Sequence, residues 1–552
     1  MNKMKPMLFS TLKNYTKEQF LSDVVAGIIV AIIALPLSIA LALASGVGPE
    51  QGIYTAIIAG IVISFFSGSH VQISGPTAAF ATIVAGIVAE NGMDGLIVAT
   101  ILAGIILIVM GFCHFGSLIK FIPFTITTGF TSGIAVTIII GQLKDFFGVT
   151  YPEGMPTIET AEKLEAFLAG FGTFQVDALI VGLVCLAVLI IMPKITEKIP
   201  GSLVAVIVGI LMTKLLPLEV NTIGDLYTIS NKLPSFHLPN VSFEMVRVAL
   251  PNAFTIAVLA AIESLLSCVV ADNMIGQKHR SNMELTAQGL GNIVSALFGG
   301  IPATGAIART AANVKNGGRT PVAGIVHGGV LLMILVVLMP YAGWIPMPTI
   351  AAILFMVAYN MCQWRTFVRL VKTAPKSDIA VLVITFILTV AFDLVIAIEV
   401  GMLLACLLFM KRMSDETELR GWRYTEQLTE AEMEAEAEQL RQLSNSIRVY
   451  EFTGPLFFGA ADKIDQIIVK KMTKCLILRM RAVPSLDSTA MNSLIALHEK
   501  CQKKGITLVL SHVNEQPIRA MQKAGFVDMV GKENFCEHID AAIEYAEQIV
   551  AQ

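Results

Sequence analysis

Between Val24 and Phe392 the chain alternates long apolar runs with short polar breaks. The runs are Val24–Ala44, Ile53–Ser67, Leu96–Phe112, Phe121–Gly141, Leu179–Met192, Leu203–Met212, Val248–Ile262, Val322–Pro340 and Ile379–Phe392. A helix that crosses a bilayer needs roughly 20 such residues. Several runs are shorter than that, or are broken by Gly and Pro. Counted with their neighbours they predict about 14 transmembrane segments. The first run sits behind Lys3, Lys5, Lys13 and Lys17 with no cleavage signature after it, so it reads as a retained span and not a removed signal peptide.

At Met413 the pattern changes. Residues 413–445, which include TEAEMEAEAEQLRQL, are densely charged and helix-prone and predict a linker helix. From 446 to 552 the spacing is that of a soluble α/β domain. IRVYEF and GPLFFGA read as strands, ADKIDQIIVKK as a helix, TKCLILRM as a buried strand and DSTAMNSLIALHEKCQKKG as a helix ending at Gly505; ITLVLSHV is a further strand, with two helices after it. The expected domains are therefore a membrane domain over 1–412, the linker over 413–445 and the α/β domain over 446–552.

Composition agrees: of 552 residues 55% are hydrophobic and 15% charged, which places most of the chain in lipid. Basic residues gather in alternate loops, at Lys194 and Lys198, Lys278 and Arg280, Lys315 and Arg319, Arg365 to Lys376, and Lys411 with Arg412. The intervening loops are neutral or acidic, as at Glu153, Glu159, Glu162 and Glu165. By the positive-inside rule, both termini are then cytoplasmic in a bacterial inner membrane. The eight cysteines and eight histidines are scattered without metal spacing. No phosphate loop, zinc motif or nucleophile elbow occurs, so the chain reads as a non-enzyme without cofactor or metal and without nucleic-acid partners.

Two interrupted segments stand out within the apolar pattern. ISGPTAAF, residues 73–80, and ATGAIART, residues 303–310, are both runs of small residues with hydroxyls and a glycine. Each follows a long apolar segment, ALPLSIALALASG around Pro36 and AAIESLLSCVVADN around Glu263. The separations are alike, 39 residues from Pro36 to Gly75 and 42 from Glu263 to Gly305. Paired halves of this kind mark an inverted-repeat secondary transporter. A helix that starts in mid-membrane presents unpaired N–H groups and about half a positive charge, and small residues let an anion approach them. Ser74, Gly75, Pro76 and Thr77 then face Thr304, Gly305, Ala306, Ile307, Ala308 and Arg309 across an anion site. Arg309 adds a full charge and a forked donor; alternatively it is a structural cation, in either case facing protein or water.

ALPLSIALALASGV, GIYTAIIAG, SGPTAAF, GFTSGIAVTI with KDFFGV, AIESLLSCVVADNM, ELTAQGLGNI and ATGAIARTAANVKNGGRTP together resemble the sulfate permease (SulP) family over nearly the whole chain. Within it the chain looks most similar to proton-coupled C4-dicarboxylate carriers, and the tail resembles a STAS domain. The resemblance implies an α-helical polytopic membrane protein with two seven-segment inverted repeats, about 20–215 and 245–412. These divide into a substrate-carrying core and a gate, usually in a homodimer, with a cytoplasmic STAS domain behind. It also places Glu263 beside the site as a cation- or proton-coupling acid.

Glu263 is the sole acid between Val248 and Val270, where an ionised carboxylate must be paired or hydrated. Desolvation and a nearby arginine pull it in opposite directions, the situation a coupling residue needs; a permanent Glu263–Arg309 ion pair is the alternative. Ser267, one turn on, offers a donor or a cation ligand, or packs between helices. Asp393 and Glu399 read as gate or edge residues. In the tail, Ser488 of DSTA occupies the loop position phosphorylated in soluble relatives, with helix capping by Asp487 or Ser488 as the alternative. Expected partners are a small anion (a C4-dicarboxylate, sulfate or bicarbonate), a proton or sodium, the lipid bilayer, a second copy of the chain and a cytoplasmic protein that binds the tail. An uncoupled anion channel and a membrane-tethered scaffold are the other classes in view.

Overall fold

In the computed structural model, residues 4–551 are described apart from 118–122, 158, 197–199, 240–241, 393, 422–443, 445 and 469–471. The chain forms two compact units, Met1–Met402 and Leu403–Gln552. The first is helical. Its principal helices are α1 (Lys17–Ala44), α2 (Pro49–Phe66), α3 (Ala81–Phe112), α4 (Phe124–Phe147), α5 (Val176–Ile195), α6 (Gly201–Leu215), α7 (Phe243–Ile275), α8 (Ser281–Leu297), α9 (Ile307–Lys315), α10 (Val322–Leu338), α11 (Met347–Cys362) and α12 (Lys376–Ala391). A last one, α13 (Leu394–Glu416), runs across the boundary between the units. Eight of the described helices are long and apolar enough to cross a membrane. Gly92 breaks α3 into two arms with φ +68°, a conformation open to glycine at little cost. With α3 counted as two, these make fourteen helical segments among the described residues, not all of them apolar: α9 carries Arg309, Asn313 and Lys315 in nine residues.

Local chemistry sets several ends. Thr16 and Gln19 form a capping box that starts α1, each side chain bonded to the other's backbone N–H at 3.2 Å. Ser242 caps α7, and Gly276 ends it in the left-handed conformation. The helices pack as two groups. In one, α8 lies against α2 and α3, α7 against α3, and α10 against α1 and α2; in the other, α4 lies against α11 and α12, and α5 against α6 and α11. Each group takes matching members from both halves of the chain, as two repeats divided into core and gate require. Glycine allows the closest approaches: a methyl on Gly289 would come 2.4 Å from the Gly104 carbonyl oxygen, and one on Gly104 2.6 Å from the Gly289 oxygen.

The second unit carries a five-stranded sheet in the order β3 (Glu418–Gly421), β4 (Ile447–Thr453), β5 (Cys475–Ala482), β6 (Thr507–Ser511), β7 (Phe535–Cys536), here numbered after the two short membrane-domain strands described below. The β4–β7 pairs are parallel and β3 is an antiparallel edge. Both faces of the central strands are covered. Leu476, Leu478 and Met480 point into the larger core, while Ile447, Cys475, Ile477 and Val509 meet Ala542 and Ala546 of the C-terminal helix Ile539–Ala551 on the other face.

Four expectations for this region change. GPLFFGA is no strand: Gly454 turns the chain at φ +101°, Pro455 lacks an N–H, and a single bridge joins Leu456 to Leu486. In ADKIDQIIVKK the described helix is one turn, Asp462–Asp465. Within 413–445, residues 418–421 form strand β3 because their backbone pairs with β4, and 422–443 with 445 lie outside the described residues. Three helices, not two, follow the ITLVLSHV strand, with β7 among them.

Candidate anion site

The two interrupted segments meet in space. Ser74–Gly75 (β1) and Thr304–Gly305 (β2) pair antiparallel, Ser74 opposite Gly305 and Gly75 opposite Thr304. A helix leads away from each strand: a 3-10 turn, Ala78–Phe80, continues into α3, and α9 begins at Ile307. The first-turn N–H groups of both therefore open beside the same short sheet. In α9 the ladder begins where Thr310 N–H donates to the Ala306 carbonyl at 2.9 Å, which leaves the amides of Ile307, Ala308 and Arg309 ahead of it.

Arg309 is buried, 1% exposed. Its side chain reaches from the second repeat to the start of the first half-helix, where Nη2 donates to the Pro76 carbonyl at 2.9 Å. Nη1 lies 2.5 Å from the position a Cβ on Gly75 would take, so only glycine leaves room for the guanidinium. Nε and Nη1 have no hydrogen-bond partner. Among the described residues no acid lies within ion-pair distance of Arg309, the pairs found being elsewhere. Two buried, unanswered donors on a cation are what an anion would satisfy.

Glu263 accepts a hydrogen bond from Thr77 Oγ1 at 2.9 Å on its Oε2. It is thus tied to the first half-helix, and the permanent ion pair with Arg309 does not form. Thr77, Glu263 and Ala306 are half-buried and Ile307 and Ala308 exposed, although all lie within the hydrophobic helical domain. The remaining expected residues are scaffold. Ser74, Gly75, Thr304 and Gly305 are buried; the Ser74 hydroxyl accepts from Gln288 Nε2 at 3.1 Å, and the Thr304 hydroxyl donates to the Ala260 carbonyl at 3.0 Å. Ser267 is engaged with the second half-helix: its hydroxyl donates to Thr310 Oγ1 at 3.3 Å, and that oxygen in turn accepts from Ile73 N–H at 3.0 Å. Near the first arm of α3, a cavity of about 250 Å³ lies between the two helix groups, lined by Thr82, Glu90, Thr137, Asn252, Thr255 and Phe392, among others.

The sequence reading did not find the polar hub behind the sheet. Glu284 of α8 is fully buried, and five donors converge on its carboxyl: Ser67 Oγ at 2.6 Å, the Gly68 and Ser69 amides at 2.9 and 3.3 Å, Gln72 Nε2 at 2.7 Å and Gln288 Nε2 at 2.8 Å. Asn292 continues the stripe by bonding both N–H and C=O of Ala303. Glu284, Gln288 and Asn292 recur every four residues inside ELTAQGLGNI, one polar line along an otherwise apolar helix. That spacing was the available signal. Buried Asp23 was also missed; it receives the Arg319 amide and the Tyr15 hydroxyl, each at 2.8 Å.

Of the other expected residues, Asp393 lies outside the described residues, and Glu399 is exposed. In the second unit Ser488 is exposed at the first position of the helix Ser488–Lys503. Asp487 is the cap, with Oδ1 accepting from the Ala490 amide at 2.8 Å and Oδ2 from the Phe458 amide at 2.9 Å.

Eight described helices long and apolar enough to cross a membrane, two helices that start from one short strand pair, and a separate α/β unit fit a polytopic membrane transporter fold with a C-terminal STAS domain. The chain belongs to the sulfate permease family, whose pattern matches residues 20–385, with a STAS domain over 440–542. It is 38% identical over 96% of its length to YvdB of Bacillus subtilis (strain 168), provisionally named a sulfate transporter, and covers 98% of that protein. It is 31% identical to the bicarbonate transporter BicA of Picosynechococcus sp. (strain ATCC 27264 / PCC 7002 / PR-6), over 80% of this chain and 79% of the other. The fold matches the solved structure of SLC26A9 with a TM-score of 0.86 at 19% identity, covering 99% of this chain and 93% of that one. It also matches the transmembrane domain of a cyanobacterial BicA, with a TM-score of 0.62 at 28% identity, over 71% of this chain and 98% of that one.

Proposed function

We propose that this protein is a secondary active anion transporter whose substrate binds between the starts of the two half-helices. The observation that carries the reading is Arg309, a buried guanidinium with two unpartnered nitrogens held where both helix N-termini open. Substrate contact falls to Pro76, Thr77, Ala306, Ile307, Ala308 and Arg309, with Ser74, Gly75, Thr304 and Gly305 holding the backbone around them. Glu263 is the coupling group. Tied to Thr77 and partly accessible, it exchanges a proton, or takes a sodium ion, as the site opens to one side and then the other. Ser267, engaged with Thr310, is a positioning group for the second half-helix.

The relatives' names favour sulfate or bicarbonate as the anion. A C4-dicarboxylate, expected from the family resemblance, needs positive potential at both ends, and Arg309 with two helix dipoles is the whole supply identified. The transporter is read as a homodimer in a bacterial inner membrane with both termini cytoplasmic, its STAS domain available to a protein partner.

Uptake into proteoliposomes of radiolabelled sulfate, bicarbonate and succinate, with and without inward proton or sodium gradients, tests this. Sulfate or bicarbonate should accumulate under one gradient, and Glu263→Gln should abolish the dependence on it. Entry that never exceeds equilibrium under either gradient would show a channel, and no entry of any anion would overturn the reading.

A further inference from the structure

A short amphipathic helix joins α11 to α12. It runs from Trp364 to Thr373, WRTFVRLVKT, after α11 ends at Cys362 and before α12 begins at Lys376. Gln363 enters it in the left-handed conformation, φ +44° and ψ +42°, so the chain bends out of the line of α11 instead of continuing it. At the other end Ala374 is extended ahead of Pro375, as a residue before proline prefers. A helix held at both ends by apolar helices of the membrane domain, and bent away from the first of them, lies where those helices leave the lipid.

At 100° per residue its side chains divide into three faces. Thr366, Phe367 and Leu370 are half-buried, and the Phe367 ring meets that of Phe386 in α12 edge to face at 5.3 Å; this is the side the protein holds. Trp364, Val368 and Val371, at i, i+4 and i+7, form an exposed apolar stripe. Arg365, Arg369 and Lys372 repeat that spacing as an exposed basic stripe, centred roughly 100° around the helix from the apolar one. No acid occurs from Gln363 to Lys376, and among the described residues no ion pair includes Arg365, Arg369, Lys372 or Lys376. The Arg365 guanidinium instead stands 5.8 Å from the centre of the Trp364 ring, and Trp364 Nε1 donates to the Tyr359 hydroxyl at 3.4 Å. Tryptophan and tyrosine side chains settle where acyl chains meet headgroups.

We propose that the helix Trp364–Thr373 is a binding surface for anionic phospholipid headgroups. Trp364, Val368 and Val371 enter the edge of the acyl region, and Arg365, Arg369, Lys372 and the following Lys376 meet the phosphates. Charge and position together carry this. The basic stripe has no counter-charge in the protein, its forked guanidinium groups match phosphate oxygens, and the apolar stripe beside it fixes the depth at which a helix lies in the interface. The helix packs on α4 and α12, within the helix group that does not carry Arg309, so the lipid grips the half of the transport domain away from the anion site. The leaflet is the one on the side that the loop charges assign to the cytoplasm, and the proposal is independent of which anion is carried.

Tryptophan quenching in proteoliposomes of the full-length protein tests it. The quenching that wild type shows and Trp364→Phe lacks reports on the lipid beside this residue. Dibrominated phosphatidylglycerol and dibrominated phosphatidylcholine are compared, each titrated into phosphatidylcholine vesicles. Both should quench Trp364, the anionic lipid at the lower mole fraction. A basic residue near an anionic surface contributes up to about fivefold, so Arg369→Gln combined with Lys372→Gln, both at exposed positions, should remove most of the preference without moving the melting temperature. Equal quenching by the two lipids in wild type, or a preference that the folded double variant keeps, overturns the proposal. No quenching of Trp364 by either lipid shows the stripe to be covered by protein, the STAS domain or a second copy, and overturns it as well. Should the double variant not fold, wild type at high salt decides: headgroup binding weakens as charge is screened, and a preference indifferent to salt is the contrary result.

Discussion

Gly75→Ala is the smallest change that disturbs the anion site. The added methyl would lie 2.5 Å from Arg309 Nη1, against the 3.4 Å at which ordinary contact begins, so the guanidinium must retreat by roughly 0.9 Å. The next neighbour is Ala56 Cα at 3.5 Å, and Gly75 is not among the positive-φ glycines, so the backbone accepts alanine. Retreat stretches the 2.9 Å bond from Nη2 to the Pro76 carbonyl and pulls the fork from the half-helix starts. A hydrogen bond to a charged group contributes about 1.5–3 kcal/mol, so losing one with the anion means roughly 10- to 150-fold weaker binding. Equilibrium binding of sulfate and nitrate to purified protein measures it, with the melting temperature in detergent as the control for folding. A variant that melts with wild type and binds within about threefold of it would refute the placement of the anion beside Gly75 and Arg309.

Three further outcomes are expected. Glu284→Ala leaves five buried donors without their acceptor, and at about 1–3 kcal/mol for each group left unsatisfied the protein should lose its monodisperse peak in size-exclusion chromatography, whereas a wild-type profile would show the hub to be dispensable. Asp487→Ala removes the cap of the helix Ser488–Lys503 and should destabilise the STAS domain by about 1 kcal/mol in denaturant unfolding, with no change if the Phe458 and Ala490 amides find other acceptors. Burial pushes the Cys475 thiol up to about 12 from an ordinary 9.0; the folded form then holds its proton while the unfolded chain releases it. Between those values the Cys475 thiol should make STAS stability fall with rising pH, by up to about 1.4 kcal/mol per unit, a share of the slope that Cys475→Ala should remove while the Cys501 and Cys536 thiols, also raised by burial, keep theirs.

The meeting of the two interrupted segments was legible because glycine and proline announce themselves: SGPT and ATGA cannot continue a membrane helix, and their similar distances from Pro36 and Glu263 pair them. Local pattern also located Arg309 and Glu263. It left the partner of Glu263 open, since that depends on which side of α7 meets Thr77, a question of packing between segments 186 residues apart. The same limit hid Glu284, whose donors come from the Ser67–Gln72 loop as well as its own helix. In the second unit, alternating apolar residues marked β5 and β6, while GPLFFGA had a strand's composition but, at Gly454 and Pro455, a turn's backbone.

The central claim is where the anion sits, and anomalous scattering measures that directly. Crystals of the full-length protein soaked in selenate, a sulfate analogue, or in bromide should show an anomalous peak within hydrogen-bonding reach of Arg309 Nη1 and the amides of Ile307 and Ala308, lost in Arg309→Gln. A peak confined to the cavity lined by Thr82, Glu90 and Thr137, or one at Arg309 that survives the substitution, would contradict the account.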